Sequence, residues 1–331
     1  MAQNLSDGSA VQPSDASDQD VRERFERSVA PLRRELHAHC YRMLGSVFDA
    51  DDALQEGLVR AWRAFDGFEG RSSLRTWLYT VVTRACIDAA AARRRRALPV
   101  DLGPASSGAD RGGMPREDVL WLTPYPDPAD VASRMERLEV AFIAALQHLT
   151  GNERAALLLV DVLGFSAAEA AESLGATPTA VHSALARARR RLAGTARPHA
   201  VAPRPSAPVL SLARRFADAL TSSDVDAFVA LLARDVTWQM PPLAEWYSGV
   251  EAVASFAQAV PMTLCPSWRT RVLTANGHPA VAFYLGQSAD GPHRAWSLTL
   301  LAASGHGRVE SIVSFLEPAL FERFGLPAEI D

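Results

Sequence analysis

Over residues 21–100, and again over 133–197, apolar side chains recur at the three-to-four spacing of amphipathic helices. In "SSLRTWLYTVVTRACIDAAAARRRR", Leu74, Trp77, Leu78, Val81, Val82 and Ala85 share one face. Thr76, Thr80, Thr83, Arg84 and Ile87 lie opposite, and the helix runs out into Arg93, Arg94, Arg95 and Arg96. In the second block Thr150 with Glu153, and Ser166 with Glu169, form capping boxes, and Gly164 and Gly175 stand where helices should stop. After residue 208 the pattern changes. Helical stretches at Val209–Leu220 and Asp226–Leu232 are followed by the β-rich runs "VTWQM", "WRTRVL", "AVAFYLG", "AWSLTLLA" and "VESIVSFL". Helices first and strands later predict an α+β domain with a curved antiparallel sheet.

The stretch "GATPTAVHSALARARRRL" sharpens the reading of the second block. Thr177 is placed to cap a helix that Pro178 opens. Val181, Ala184, Leu185, Ala188 and Leu192 make its apolar stripe. Thr179, Ser183, Ala186, Arg187 and Arg190 face away, with His182 at the edge. With the short helix Ala167–Leu174 before it, this is a helix-turn-helix, whose second helix lays its N-terminal residues in the DNA major groove. By reach, Thr179, His182, Ser183 and Arg187 meet base edges. Arg189, Arg190, Arg191 and Arg197 meet phosphates. The competing reading is a solvated basic face on a packing helix.

Charge and composition then divide the chain of 331 residues. All 34 basic residues are Arg, planar forks suited to phosphates and guanine edges. Residues 1–20 carry four Asp and no base, and read as a disordered acidic tail with neither the basic start nor the apolar stretch of a secretory signal. Residues 21–100 hold 15 Arg against 10 acids, and 151–204 hold 7 Arg against 4 acids; between them 101–150 are net acidic. Two basic blocks around an acidic one suit a two-point polyanion binder. Residues 101–132, rich in Gly, Pro, Ser and Asp, read as an acidic linker, and 198–207 as a Pro-rich hinge. Cys40, Cys86 and Cys265 lack any zinc spacing and read as free thiols in a reducing cytoplasm; no metal, cofactor or membrane span is indicated.

"DADDALQEGLVRAWRAFDGFEG", followed by the arginine-ended helix, resembles region 2 of the extracytoplasmic-function (ECF) sigma factors of the sigma-70 family. "ALQHLTGNERAALLLVDVLGFSAAEAAESLGATPTAVHSALARARRRL" resembles their region 4. The resemblance implies two all-α domains: a region 2 bundle at 21–100 and a region 4 helix-turn-helix at 133–197. It implies that Asp51, Asp52, Gln55 and Glu56 dock on the clamp helices of the largest subunit of RNA polymerase core, with region 4 on the flap. Arg71, Arg75, Tyr79, Thr83, Arg84, Arg93 and Arg94 would bind and open the promoter −10 element. Thr179, His182, Ser183, Arg187, Arg190 and Arg191 would read the −35 element. Opening DNA calls for a basic groove with π-faces. Trp62, Phe65 and Trp77 are expected to pack instead. The pattern departs at Arg84, where many members carry Asn, so −10 base preference is not carried over. The acidic linker, with its "WLTPYPDP" stretch, would thread the polymerase's RNA path or serve as a plain spacer.

Residues 208–331 resemble a SnoaL-like domain of the NTF2-like superfamily, a cone of curved sheet around a pocket, and with "WLTPYPD" they resemble the tail of the SigG-like subgroup. Trp238, Met240, Trp246, Tyr247, Phe283 and Trp296 would line that pocket, leaving room for a small-molecule ligand, or fill a core. Asp235, Glu245, Tyr247, His278, Tyr284 and His293 are acid–base types without any spacing that brings them together, so no catalytic residue is expected. The reading is therefore a cytoplasmic, non-enzymatic sigma factor that takes core polymerase to promoter DNA, with a domain modulating it in cis. The alternative is a one-component helix-turn-helix regulator with a ligand-sensing or enzymatic NTF2-like domain, which leaves 21–100 unexplained.

Overall fold

The capping signals mark where helices begin. In the computed structural model, which describes residues 13–92, 95–106, 113–127, 139–193, 207–303 and 307–331 (side chains from residue 19 onward), both capping boxes form. Thr150 and Ser166 accept from the backbone of Glu153 and Glu169, whose carboxylates accept in return from the cap backbone. Thr177 caps the helix opened by Pro178.

Four helices make the first bundle: α1 (Pro13–Val29), α2 (Arg33–Leu44), α3 (Val47–Ala64) and α4 (Leu74–Ala91). Helix α1 starts inside the segment expected to be irregular, with proline at the first helical position where its missing N–H matters least. Residues 1–12 lie outside the described residues. The second bundle holds α5 (Val140–Leu146), α6 (Gly151–Leu157), α7 (Ala167–Leu174) and α8 (Pro178–Arg191). A π-helical turn at Leu158–Val162 extends α6. The stripe Val181, Ala184, Leu185, Ala188 and Leu192 is buried, as the spacing predicts. The hinge and Arg197 fall within 194–206, outside the described residues.

The last third contains α9 (Ala207–Thr221), α10 (Val225–Ala230), β1 (Leu232–Gln239), β2 (Trp246–Ser248), α11 (Val250–Ala259), β3 (Ser267–Ala275), β4 (His278–Gly286), β5 (His293–Ala303), β6 (Val309–Phe315), α12 (Leu320–Arg323) and β7 (Glu329–Ile330). Strand order is β2-β1-β6-β5-β4-β3, with β7 on β5. The sheet is mixed rather than wholly antiparallel. The consecutive strands β3 to β6 pair as hairpins, but β1 and β6 are joined through the whole domain and pair in parallel. Register shifts at Phe283/Tyr284 and Ala302/Ala303 mark irregularities of the kind that bend a sheet.

One apolar cluster runs through both helical bundles and onto one face of the sheet at Tyr284, Leu298, Leu300 and Phe321. A second fills the other face beneath α9–α11, with Phe216, Phe228, Trp238, Phe256 and Phe283. The region 2–4 linker is seated between these bodies. Its Thr123 bonds the α2–α3 turn on one side: Thr123 N donates to Gly45 O and Val47 N to Thr123 Oγ1. Asn276, in the β3–β4 turn, grips Tyr125 on the other.

Helix α4 departs from the one-sided pattern. Tyr79 and Thr83, expected on its DNA-facing side, are fully buried. Helix α2 covers that side, and His39 Nε2 lies 2.9 Å from Thr83 Oγ1. Cys40 and Cys86 meet in the same α2–α4 seam, where burial pushes the Cys40 thiol up. Burial holds the His39 pKa down at about 3. In the unfolded chain it protonates near pH 6.5, so between those values the unfolded state binds more protons. Stability is therefore complete above pH 6.5 and falls as pH drops towards 3, by up to about 1.4 kcal/mol per unit. Urea unfolding at pH 7.5 and 5.5 should show a larger loss for the parent than for His39→Gln; equal losses would remove His39 as the cause.

Candidate functional site

Helix α8 presents its outer face to solvent: Thr179, His182, Ser183, Ala186, Arg187 and Arg190 are all exposed. The arginines are not equivalent. Arg187 Nε and Arg191 Nη1 both reach the buried Glu153 carboxylate, at 2.9 and 2.7 Å. Burial opposes ionisation of Glu153, but the Thr150 bonds and the two guanidiniums overcome it and hold the carboxyl below its usual range. Arg187, read from sequence as a free base-edge contact, thus stands in a network that fixes α8 on α6. Arg189 pairs with Asp161 at 2.7 Å, while Arg190 bonds only its own helix, at Ala186 O, among the contacts shown.

On α4 the expected −10 residues separate into three groups. Arg71 is exposed beside Glu69. Arg75 bonds Glu35 through two nitrogens, at 2.9 and 3.2 Å, and lies over the Tyr79 ring. Arg84 points into region 4: its Nε and Nη2 donate to Ser173 O and Glu172 O at 3.0 and 3.2 Å, and Thr80 Oγ1 lies 2.8 Å from Ser173 Oγ. The last turn of α7 therefore covers the middle of α4, a contact with no local signal in the sequence. Arg93 and Arg94 lie outside the described residues. Arg95 and Arg96 pair with Asp101 and Asp49. Trp77 packs against Phe65 and Phe68, and Trp62 against Phe25, as expected.

The acidic face of α3 is divided as well. Asp52, Gln55 and Glu56 are exposed, with Glu56 paired to Arg60. Asp51 is met from both sides: His37 Nε2 at 3.0 Å, and Arg323 Nη1 from α12 at 2.8 Å. The Arg323 guanidinium also lies 5.6 Å from the Phe48 ring centre. The C-terminal domain thus touches the surface read as polymerase-facing.

The curved sheet, α9 and α11 enclose an apolar cavity of about 380 Å³. Trp238, Met240, Phe283 and Trp296 line it, as predicted; Trp246 and Tyr247 do not. Tyr247 stacks on Phe256 in the core, and Trp246 Nε1 donates to Gly103 O of the linker. Among the described residues no Asp, Glu, His or Arg lines the cavity. His293 is buried between Ser267 and Gly291 O, Tyr284 packs on Phe321, and Asp235 is exposed. Among the described residues these acid–base types do not converge; the Cys265 thiol lines the cavity, and burial pushes its pKa up. Among the described residues, no cluster of three His, Cys, Asp or Glu could hold a metal, and no helix is long and apolar enough to cross a membrane.

Comparison with known proteins agrees with this division. Residues 29–96 match Sigma-70 region 2, 139–192 match Sigma-70, region 4, and 213–310 match the SnoaL-like domain. The ECF RNA polymerase sigma factor SigG of Mycobacterium tuberculosis (strain H37Rv) is 41% identical over 335 residues, covering 98% of this chain and 88% of the relative. SigM of the same organism is 34% identical over 171 residues, 51% of this chain and 75% of the relative. The crystal structure of M. tuberculosis SigJ shares the fold, with a TM-score of 0.58 at 22% identity over 91% of this chain and 99% of that one. With region 2, region 4 and the SnoaL-like domain matched in order between residues 29 and 310, and SigG 41% identical over 98% of its length, the chain belongs to the ECF sigma factors of RNA polymerase.

Proposed function

We propose that this sigma factor grips core polymerase and a promoter through the surfaces above, and that its SnoaL-like domain works in cis by holding them closed. Asp51, Asp52, Gln55 and Glu56 dock on the clamp helices and region 4 on the flap. Thr179, His182, Ser183, Arg190 and, once released from Glu153, Arg187 and Arg191 meet −35 DNA. Arg71, Arg75, Arg84, Arg93 and Arg94 hold the −10 strand, while Tyr79 and Thr83 support α4 from beneath. The protein acts in the cytoplasm, as promoter binding requires, and without turnover of its own. The observation that carries the cis role is Arg323, which occupies Asp51 and Phe48.

A half-exposed ion pair and a cation–π contact together contribute about 1 kcal/mol. Arg323→Ala should therefore raise affinity for core polymerase by roughly threefold to tenfold and raise run-off transcription in step. Filter binding with fluorescent full-length chain measures the first. Unchanged or weaker binding would refute the masking of Asp51. Failure of both proteins to be retained by core would instead favour the one-component regulator.

A further inference from the structure

The cavity has an unusual fourth wall. Three sides come from the SnoaL-like domain itself, but Gly113 and Pro115, from the linker between regions 2 and 4, complete the lining. The segment is fixed there by backbone bonds: Arg116 N donates to Pro242 O at 2.9 Å, and Ser106 N to Trp246 O at 2.8 Å. Gly113 lies against the Glu245 carboxylate, which would have to shift to admit a Cβ at this position. The part of the chain that sets the distance between the two DNA-binding regions is thus also a wall of an empty-sided apolar chamber.

The lining states what would fit. Trp238, Phe256, Trp268 and Phe283 offer ring faces and edges, and Trp296 at 42% exposure stands open to solvent. The hydroxyl groups lie on one wall, and the Cys265 thiol lines the cavity from the α11–β3 segment. Ser297 and Thr299 are two apart on β5 and so share a face, and Ser314 on β6 is the register partner of Thr299. Thr299 Oγ1 and Ser314 Oγ lie 2.9 Å apart, and Trp238 Nε1 donates to Ser314 Oγ at 2.9 Å. These hydroxyls can take one oxygen by hydrogen bonding. Among the described residues no cation lines it to offset a buried anion, and no carboxylate to offset a buried cation. The volume lies at the lower end of the roughly 300–1,000 Å³ typical of small-molecule sites.

We infer that the cavity is a binding site for an uncharged, ring-containing molecule with a hydroxyl or carbonyl oxygen, and that binding holds linker residues 113–116 in place as its wall. Occupancy and linker seating are then reciprocal: the ligand stabilises the seated linker, and the seated linker tightens the ligand. Only the consequence for transcription rests on the cis role proposed above; the site itself does not.

The test uses the full-length chain without polymerase or DNA, so its failure leaves the promoter reading intact. N-phenyl-1-naphthylamine fluorescence should rise saturably to one probe per chain. Uncharged 1-naphthaleneethanol should displace it at least about tenfold better than 1-naphthaleneacetate, which must bury a charge. Ser297→Phe, which fills the chamber, and Trp296→Ala, which removes a half-exposed wall and leaves the core intact, should each weaken the probe severalfold. Trypsin cleavage after Arg116 should slow with naphthaleneethanol bound. Absence of saturable binding, equal displacement by the acetate, or unchanged binding in both Ser297→Phe and Trp296→Ala overturns the site. Cleavage at Arg116 that ignores the ligand overturns its link to the linker.

Discussion

Asn276→Ala should loosen the SnoaL-like domain from region 2 and destabilise the chain by about 2–4 kcal/mol. Asn276 is fully buried in the β3–β4 turn, with φ +53°. Its backbone N–H donates to Tyr125 O, its Oδ1 accepts from Tyr125 N at 2.6 Å, and its Nδ2 donates to Tyr41 Oη at 3.1 Å. Tyr41 passes the connection on by donating to Thr123 O at 2.7 Å. One side chain thereby joins the C-terminal domain, the linker and α2. Alanine leaves the Tyr125 amide unpaired in a buried site, at about 1–3 kcal/mol, and loses the bond to Tyr41 Oη, worth about 1 kcal/mol; its Cβ adds nothing, because asparagine already carries one in this left-handed backbone. Asn276→Gly loses the same bonds but suits the left-handed backbone, so it should be less destabilising than Asn276→Ala. Denaturant unfolding measures both, and hydrogen exchange at the Tyr125 amide reports the local release. A variant as stable as its parent, with that amide still protected, would show that other contacts hold the domains together.

Why this pin escaped the sequence reading is instructive beside what did not escape it. Helix α8 was legible because it buries one face only, so its stripe and its exposed residues separate cleanly along the sequence. Helix α4 was not, because α2, α3 and α7 all pack on it and its polar residues find partners there: Thr83 with His39, Thr80 and Arg84 with Ser173. Such pairs join residues 44 and more than 80 positions apart, and no local period encodes them. The linker looked like a spacer because irregular Gly- and Pro-rich chain carries no pattern of its own; its backbone groups are satisfied by Pro242 and Trp246 instead. Among the aromatics expected at the cavity, Trp246 and Tyr247 failed for a simple reason. They are neighbours on the short strand β2, where successive side chains point to opposite faces: Tyr247, the partner of Trp238, shares the chamber's face but is covered by Phe256, and Trp246 turns to the linker at Gly103.

The contact between α4 and α7 leads to the largest expected effect. Arg84 donates to two carbonyls in the last turn of α7, where the helix dipole is negative, and Thr80 and Ser173 close the seam with oxygens 2.8 Å apart. While that seam is shut, region 4 lies on the middle of the helix proposed to hold the −10 strand. Both cannot use α4 at once. The separation of the two hydroxyls suits a disulfide, whose sulfurs sit about 2.05 Å apart on longer C–S bonds. A chain carrying Thr80→Cys and Ser173→Cys should, when oxidised, lose run-off transcription by about a hundredfold, limited by the fraction left open. Dithiothreitol should restore it. The parent is the control, because Cys40 and Cys86 are buried and Cys265 is partly so. Each single-cysteine variant should behave like the parent under oxidant, which separates the crosslink from the substitutions. If the crosslinked chain starts transcripts as well as the reduced one, α4 meets DNA without parting from α7, and closure of the two regions has no part in control. Loss of activity that returns on reduction would instead make separation of regions 2 and 4 an obligatory step before the promoter is opened.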